Sequence, residues 1–238
     1  MKQRFKKVLH WITGKNKKNR SRVSYISIWI RNLVLFFFVS TFLSVLIMRF
    51  VPIRLTPLMA LRVCHQLSSD RPVKLEQTWL CIDDMSSTMI DAVIASEDNK
   101  FMSHNGFDFE AIEKARKMNK KGKKIYGAST ISQQVAKNVF LWPDRTWVRK
   151  GLEVYFTVMI ETFWSKKRIM EVYLNVAETG KGVFGVEEVA MRNFDRHASK
   201  LTTHQAVSIA CVLPNPLIRS PKTVSQRNSS KYSTTYKR

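Results

Sequence analysis

Apolar residues recur at helical spacing in several segments of this chain. The longest is 144–164, in which Leu152, Phe156 and Phe163 share the face that a helix turns towards a core. Spacing and capping residues predict helices near 58–65, 89–96, 109–117, 130–138, 144–164, 167–175, 186–194 and 206–213. A single short extended segment is predicted, at 73–82. The pattern therefore indicates helices joined by loops.

The longest uncharged stretch runs from Asn32 to Met48, between Arg31 and Arg49. As a helix it spans about 26 Å, and the apolar residues on either side extend it to the roughly 30 Å of a hydrocarbon core. We predict one transmembrane helix at 28–53. A cleaved signal peptide is the alternative, but the run is long for one and no small-x-small site follows it.

Charge divides the chain further. Forty Lys and Arg against 18 Asp and Glu give a net charge of +22, which implies an anionic partner: nucleic acid, a phospholipid surface or a phosphate-bearing substrate. Ten of the cations lie in 1–31, and this excess favours a cytoplasmic N-terminus. The predicted organisation is a basic cytoplasmic segment 1–27, the transmembrane helix 28–53, a linker 54–72, a domain 73–218 and a disordered tail 219–238.

A carboxylate pair, Glu97-Asp98, directly follows an apolar helical run. Burial at that point would adjust the pKa of Glu97 for work as a general base. The following residues Phe101, His104 and Gly106 would turn the chain back over the carboxylate. A solvated helix end or a local salt bridge is the alternative interpretation of the pair.

A second polar cluster begins at Thr130, which forms a capping box with Gln133 and so predicts a helix start with free backbone amides. Such helix ends attract phosphate. Gln134, Lys137 and Asn138 follow at spacings that place them on one face. Further on, Arg149 and Lys150 lie one helical turn from Glu153, an arrangement that is either a structural ion pair or part of a site.

Other features of the sequence favour no separate chemistry. The run Gly180–Gly185 matches GxGxxG, but the segment before it is predicted as helix and no acid lies about 20 residues on, so we expect a tight turn and no dinucleotide site. The three cysteines predict no metal site: Cys64 could pair only with Cys81, and Cys211 fits a buried position. The basic loop 118–124 is either solvated surface or a flap on anionic headgroups.

Five motifs in this order, EDNKFMSHNGFD, GASTISQQVAKN, RKGLE, KKRIMEVYLN and GKGVFG, resemble those of the peptidoglycan glycosyltransferases, and over 86–216 the chain is most similar to the monofunctional biosynthetic peptidoglycan transglycosylases. The resemblance implies a mainly α, lysozyme-like domain that polymerises lipid II with inversion at the anomeric carbon. The chain departs from the family at Asn193-Phe194-Asp195, where an aromatic pair and a small residue are usual.

The resemblance also assigns residues. It implies that Glu97 is the general base on the acceptor 4-hydroxyl, and that Glu153 assists departure of the lipid pyrophosphate, either directly or through a divalent cation such as Mg²⁺ or Mn²⁺. No organic cofactor is implied. The residues expected to bind substrate are Asp98, Phe101, His104, Ser129, Thr130, Gln133, Gln134, Lys137, Asn138, Arg145, Arg149 and Lys150.

By this resemblance we expect a single-pass protein of the bacterial inner membrane, with its catalytic domain outside the cytoplasm. Its expected partners are lipid II, the growing glycan strand, membrane lipids and other cell wall synthases, with no nucleic acid. The chain ends before the transpeptidase domain of bifunctional relatives and lacks SxxK and KTG, so cross-linking is not expected. Two alternatives remain: a lysozyme-like hydrolase of peptidoglycan, and a basic membrane-anchored binding protein without enzymatic activity.

Overall fold

The computed structural model describes residues 22–69, 72–122 and 127–223, together with Gln3. The chain divides into two compact units, Met1–Met48 and Arg49–Arg238. Most of the predicted cytoplasmic segment 1–27, part of the basic loop and residues 224–238 of the predicted tail lie outside the described residues. The predicted domain boundaries at 28, 54 and 73 do not coincide with the division at 48 and 49.

The described part of the first unit is one long helix, α1, at Arg22–Met48. Its portion Tyr25–Met48 is long and apolar enough to cross a membrane. The helix ends five residues before the predicted boundary at 53, because Arg49 begins a turn and Pro52 cannot continue a helix.

The second unit is mainly helical, as predicted. Its helices in the described residues are α2 Pro57–Leu67, α3 Ser87–Glu97, α4 Phe109–Lys120, α5 Ile131–Phe140, α6 Trp147–Phe163, α7 Lys166–Val176, α8 Val186–Phe194 and α9 Thr203–Ala210. Three short 3₁₀ turns accompany them, at Ile82–Asp84, Ala198–Lys200 and Pro221–Thr223. Each predicted helix is present, with ends that differ from the prediction by a few residues.

Helix α5 lies at the centre of this unit, in contact with α2, α6 and α7. Ile131, Val135 and Ala136 on α5 are fully buried. At its end, the ring of Phe140 stacks on that of Phe156 from α6, with centroids 4.4 Å apart. Because α5 is held on three sides, the polar residues that it carries are placed on a rigid support.

Helix α2 is part of the folded unit, which corrects the predicted linker 54–72. Met59 has no exposed surface, and the guanidinium of Arg62 forms two hydrogen bonds with the carboxylate of Glu178, at 2.9 and 2.8 Å. The Gln66 amide bonds to both backbone groups of Lys74. Linker-like composition misled the prediction, since three prolines and mixed polarity also suit a capped helix with Pro57 in its first turn.

A small three-stranded sheet has the order β1-β3-β2, from strands β1 Glu76–Gln77, β2 Glu178–Gly180 and β3 Val183–Phe184. The β2–β3 turn is the GxGxxG match, and the expected tight turn is confirmed there. Gly182 has φ +70°, and a Cβ at this position would lie 2.3 Å from the Lys74 carbonyl oxygen. The prediction missed β2 and β3 because such short strands leave no periodic pattern.

Candidate active site

Glu97, the last residue of α3, lines a cleft of about 570 Å³. The opposite wall comes from the segment before α5, where Ser129 is exposed to the cleft and Thr130 is buried behind it. Asp98, Asp108, Gln134 and Pro214 also contribute to the lining. The turn predicted to follow the carboxylate pair is therefore present, and it leaves Glu97 open to the cleft.

Burial raises the pKa of Glu97 above its ordinary value, and the neighbouring Asp98 carboxylate raises it further. Two kinds of contact act in the opposite direction. The Gln134 side chain donates a hydrogen bond of 2.9 Å from Nε2 to Glu97 Oε2, and the positive charges of Lys137 and Arg219 favour the ionised form. Glu97 is thus a carboxyl group with an elevated pKa and one oxygen that is free of described hydrogen bonds.

The Asp98 side chain caps the N-terminal end of α5. Its Oδ2 accepts the backbone N–H of Ile131 at 3.0 Å, and His104 Nε2 lies 2.9 Å from both carboxylate oxygens. The other ring nitrogen of His104 accepts the N–H of Gly106, so Nε2 carries the proton that is donated to Asp98. Asp98 and His104 thereby tie the turn after Glu97 to α5.

This arrangement corrects the prediction of free amides at the start of α5. The Ile131 amide is bonded to Asp98, and the capping box at Thr130 takes up the next bonds. Thr130 Oγ1 accepts the Gln133 amide and donates to the Gly106 carbonyl, while Gln133 Oε1 accepts the Thr130 amide. The sequence could not reveal that a carboxylate 33 residues upstream fills this helix end.

Phe101 lies below the turn and is only 1% exposed. The Lys166 ammonium lies 4.6 Å from the centroid of its ring and pairs with Glu161, whose carboxylate also accepts the Ser132 hydroxyl. Phe101, Thr130 and Gln133, all predicted to contact substrate, are buried parts of the wall that holds Glu97 in place. The predicted residue Asn138 is also buried, on α5.

The pKa of Lys137, on α5, is affected by both Glu97 and Glu153. Its pKa is lowered by burial and by the charges of Arg149 and Lys150, and it is raised in part by Glu153 and Glu97. Lys137 therefore lies within electrostatic range of both acids. No carboxylate among the described residues pairs with its ammonium within 4.0 Å.

The second glutamate is enclosed by cations. On α6 the guanidinium of Arg149 and the ammonium of Lys150 bond to different oxygens of Glu153, which is 3% exposed. Arg149 also donates to the Asp144 carbonyl. With Lys137 this group holds three cations around one carboxylate, so it attracts anions. Arg145, also predicted, lies exposed before α6 without a described ion pair.

The predicted divalent cation has no fitting ligand set in the described residues. Both oxygens of Glu153 already bond to cations, and both of Asp98 accept hydrogen bonds. No group of three or more His, Cys, Asp or Glu is arranged to hold a metal ion within the described ranges. The carboxylate that the resemblance links to a metal is therefore engaged by Arg149 and Lys150.

Two residues near Glu97 escaped the sequence prediction. Tyr173 on α7 is buried below the site, and its pKa is raised well above the ordinary value by burial and by the charges of Glu97 and Asp98. Arg219 lies in the predicted tail, yet its guanidinium donates to the Cys211 carbonyl at 2.9 Å. Because Arg219 is far from Glu97 along the chain, no local sequence pattern could predict that the two residues interact.

The transglycosylase family model matches residues 64–238, a range that contains every residue of the cleft. The chain therefore belongs to the transglycosylase family, and the family predicted from the five motifs is confirmed.

The chain is similar to biosynthetic peptidoglycan transglycosylases of several bacteria. It is 56% identical to that of Bacteroides thetaiotaomicron over 187 residues, which cover 79% of this chain and 75% of the relative. With that of Bdellovibrio bacteriovorus it shares 53% identity over 197 residues, 83% of this chain and 79% of the relative. With that of Caulobacter vibrioides the identity is 49% over 192 residues, 79% and 81% of the two chains.

Proposed function

We propose that this chain polymerises lipid II into linear glycan strands of peptidoglycan during cell wall synthesis. One observation carries the proposal: Lys137 lies within electrostatic range of both Glu97 and Glu153, and Glu153 is bonded to Arg149 and Lys150. A base and an anion-binding group within electrostatic range of one lysine meet the two needs of sugar transfer from a pyrophosphate carrier. The names of the relatives support the same activity.

Glu97 acts as the general base in this proposal. Its carboxylate takes the proton of the acceptor 4-hydroxyl while that oxygen attacks the anomeric carbon of the donor. The bond from that carbon to the pyrophosphate oxygen breaks on the opposite face, and its electron pair leaves with the undecaprenyl pyrophosphate, so the configuration inverts. Because burial raises the pKa of Glu97, the carboxylate is a stronger base than an exposed one.

Departure of the pyrophosphate requires positive charge. Lys137 on α5 has no described ion pair, and Arg145 is exposed in the loop between α5 and α6. Both side chains are therefore suited to hold the phosphates. Glu153 assists indirectly: its two oxygens hold Arg149 and Lys150 in place, and these cations then face the developing charge. No step in this scheme is routed through a metal.

Location follows from the anchor helix α1. We propose a bacterial inner membrane protein with a cytoplasmic N-terminus and with Arg49–Arg238 outside the cytoplasm. On α6, Trp147 is 93% exposed, Val148 71% and Val158 51%, and this apolar surface supports contact with membrane lipids. SxxK and KTG are absent from the sequence, so cross-linking is left to other cell wall synthases.

The test is lipid II polymerisation by the purified full-length chain in detergent or vesicles. Glu97→Gln should lower kcat by at least about 100-fold because the base is lost, while lipid II binding is retained. Lys137→Met should weaken lipid II binding by about tenfold, because one charge-assisted contact disappears. Lys200→Met removes an exposed charge away from the cleft and serves as the control.

Near wild-type turnover by Glu97→Gln would contradict the base assignment. Shortening of finished peptidoglycan without consumption of lipid II would instead identify the hydrolase that the sequence left open. The same assay with a chelator tests separately whether a divalent cation is required. Because Arg149 and Lys150 already engage Glu153, polymerisation should persist when divalent cations are removed, and its loss would restore the cation to the mechanism.

A further inference from the structure

A second pocket, of about 190 Å³, shares a chain segment with the first. Pro214 lines the Glu97 cleft, while Pro216 and Arg219 of the same segment line the second pocket. The β2–β3 turn supplies Lys181, and α8 supplies Arg192. This turn contains the GxGxxG match at Gly180–Gly185, which has no role in the mechanism proposed above.

The pocket brings together three cations and no acid. Its complete lining is Thr179, Gly180, Lys181, Val183, Val189, Arg192, Asn193, Pro216, Arg219, Ser220 and Pro221. Lys181 and Arg219 have no carboxylate within 4.0 Å among the described residues, and Arg192 reaches Glu76 only at 3.7 Å. Of the 18 acids in the sequence, Asp70 alone lies outside the described ranges.

Several other cations of this unit are neutralised by a neighbouring carboxylate. Arg62, Lys100, Lys117, Lys166, Lys167 and Arg168 each pair with a carboxylate. A group of like charges without counterions repels itself, and a bound anion relieves that repulsion. The second pocket is therefore a place in the described structure where an anion would meet two cations, Lys181 and Arg219, that pair with no described carboxylate.

Arg219 is also held in position. Its Nη1 donates to the Cys211 carbonyl, which leaves the remaining N–H groups of the guanidinium for another acceptor. Its charge lowers the pKa of Glu97, and Pro214 of the same chain segment lines the Glu97 cleft. The Lys181 backbone is fixed by the turn at Gly182, whose backbone carbonyl accepts the Glu76 N–H at 2.9 Å.

We propose that Lys181, Arg192 and Arg219 form a subsite for an oxyanion of the acceptor molecule, whose hydroxyl Glu97 deprotonates. This inference rests on the proposed function. Lipid II carries two kinds of oxyanion, the pyrophosphate and the carboxylates of its peptide, and both suit Arg and Lys donors. One chain segment lines both this pocket, through Pro216 and Arg219, and the Glu97 cleft, through Pro214. We therefore assign the subsite to the acceptor and leave the donor pyrophosphate to the cations around Glu153.

The experiment measures lipid II polymerisation by the full-length chain carrying Lys181→Gln or Arg219→Gln. KM should rise about fivefold for each variant and more for the double variant, since each loses one partly exposed charge contact. Lys200→Gln and Arg196→Gln, exposed cations outside the pocket, are the matched controls and should resemble wild type. Circular dichroism and thermal unfolding confirm that the variants are folded.

A second substrate, lipid II with amidated peptide carboxylates, identifies the anion. If the peptide binds there, amidation raises the wild-type KM and abolishes the difference between wild type and variants. If the pyrophosphate binds there, the difference persists. Variants that match their controls on both substrates would overturn the subsite. Failure of the wild type to consume either substrate would instead overturn the proposed function.

Arg219→Gln has a further effect that a merely structural residue would not have. Loss of its positive charge should raise the pKa of Glu97, so the acid limb of the profile of kcat/KM against pH moves to higher pH. Lys181→Gln should leave that limb in place. An unchanged limb in Arg219→Gln would show that its guanidinium does not act on the base.

Discussion

At the scale of single residues, Glu97 combines burial with a role that requires charge. Its pKa is raised mainly by desolvation, and the hydrogen bond from Gln134 only partly offsets that shift. A folded carboxyl group with a raised pKa holds its proton more tightly than the unfolded chain does. Stability therefore falls as the pH rises from the ordinary value of 4.5 through the folded pKa.

This gives a prediction for Glu97→Gln. At pH 7 the variant should unfold a few degrees above wild type, because the uncharged amide avoids the desolvation of a carboxylate. Below pH 4.5, where wild-type Glu97 is protonated in both states, the difference should disappear. Thermal unfolding in detergent over pH 4 to 8 measures it. A variant that is less stable than wild type at pH 7 would contradict the burial argument.

Asp195 is one of the residues at which the chain departs from the pattern that the resemblance implies. It is the only non-glycine residue with positive φ in the described ranges, at φ 52° and ψ 44°, and it ends α8 in the left-handed conformation. That conformation explains why a small residue is usual here. Asp195 is not among the residues that line the Glu97 cleft.

Asp195→Gly should therefore stabilise the protein, by about 0.5–1 kcal/mol, because glycine adopts this conformation without steric strain. Asp195→Ala is the matched control and should bring no gain, since alanine retains the Cβ. Urea unfolding distinguishes the two. Equal stability of both variants would mean that the left-handed residue carries no strain.

Sequence reasoning at this scale identified groups that are close along the chain. The Arg149, Lys150 and Glu153 cluster follows from helical spacing, and its ion pairs are present. The bond between Asp98 and the Ile131 amide, and the charge contact between Arg219 and Glu97, join distant segments. No periodicity encodes such contacts, so the prediction of an open helix end at Thr130 was wrong and Arg219 was missed.

At the scale of elements, the turn after Glu97 and the start of α5 form one structure. Asp98 accepts hydrogen bonds from the helix end and from His104, and the Thr130 hydroxyl returns a bond to Gly106. A carboxylate at a helix N-terminus is also favoured by the helix dipole. The position of the base therefore depends on contacts between two elements.

We expect Asp98→Ala to lower the free energy of unfolding by about 3 kcal/mol, because it leaves two buried donors without acceptors. Asp108→Ala removes an N-cap bond to Ala111 on the more exposed α4 and should lower it by only about 1 kcal/mol. Urea unfolding compares the two variants. Similar losses would mean that Asp98 acts as an ordinary cap.

Helices were predictable at this scale because apolar spacing and capping residues recur over each of them. Helix α9, predicted near 206–213, is an example, and the capping box at Thr202 begins it. Strands β2 and β3 were not predictable, because two or three residues give no period and the sheet is held by pairing with β1 across the chain. The predicted extended segment 73–82 contains only two strand residues.

For the whole molecule, the sequence predicted the mainly α class and the family, and the structure and the comparisons confirm both. The boundary between linker and domain was harder to predict from the sequence. Helix α2 looks like a tether by composition, and only its contacts with Glu178, Lys74 and α5 reveal it as part of the fold.

This boundary can be tested with two fragments. A fragment that begins at residue 49 should fold and unfold cooperatively, because it keeps all of the second unit. A fragment that begins at residue 73 loses the buried Met59 and the partner of Glu178, and should unfold about 10 °C lower. Thermal unfolding followed by circular dichroism measures the difference. Equal unfolding temperatures for the two fragments would show that α2 does not stabilise the domain and is a linker, as first predicted.

The occupied start of α5 also bears on the design of antibacterial compounds. A phosphate mimic aimed at that helix end would meet the carboxylate of Asp98 and be repelled. An anionic group directed instead at the ammonium of Lys137, which pairs with no described carboxylate, would be attracted. Medicinal chemistry on this cleft should therefore begin from the lysine, with a neutral hydrogen-bonding group placed over the aspartate.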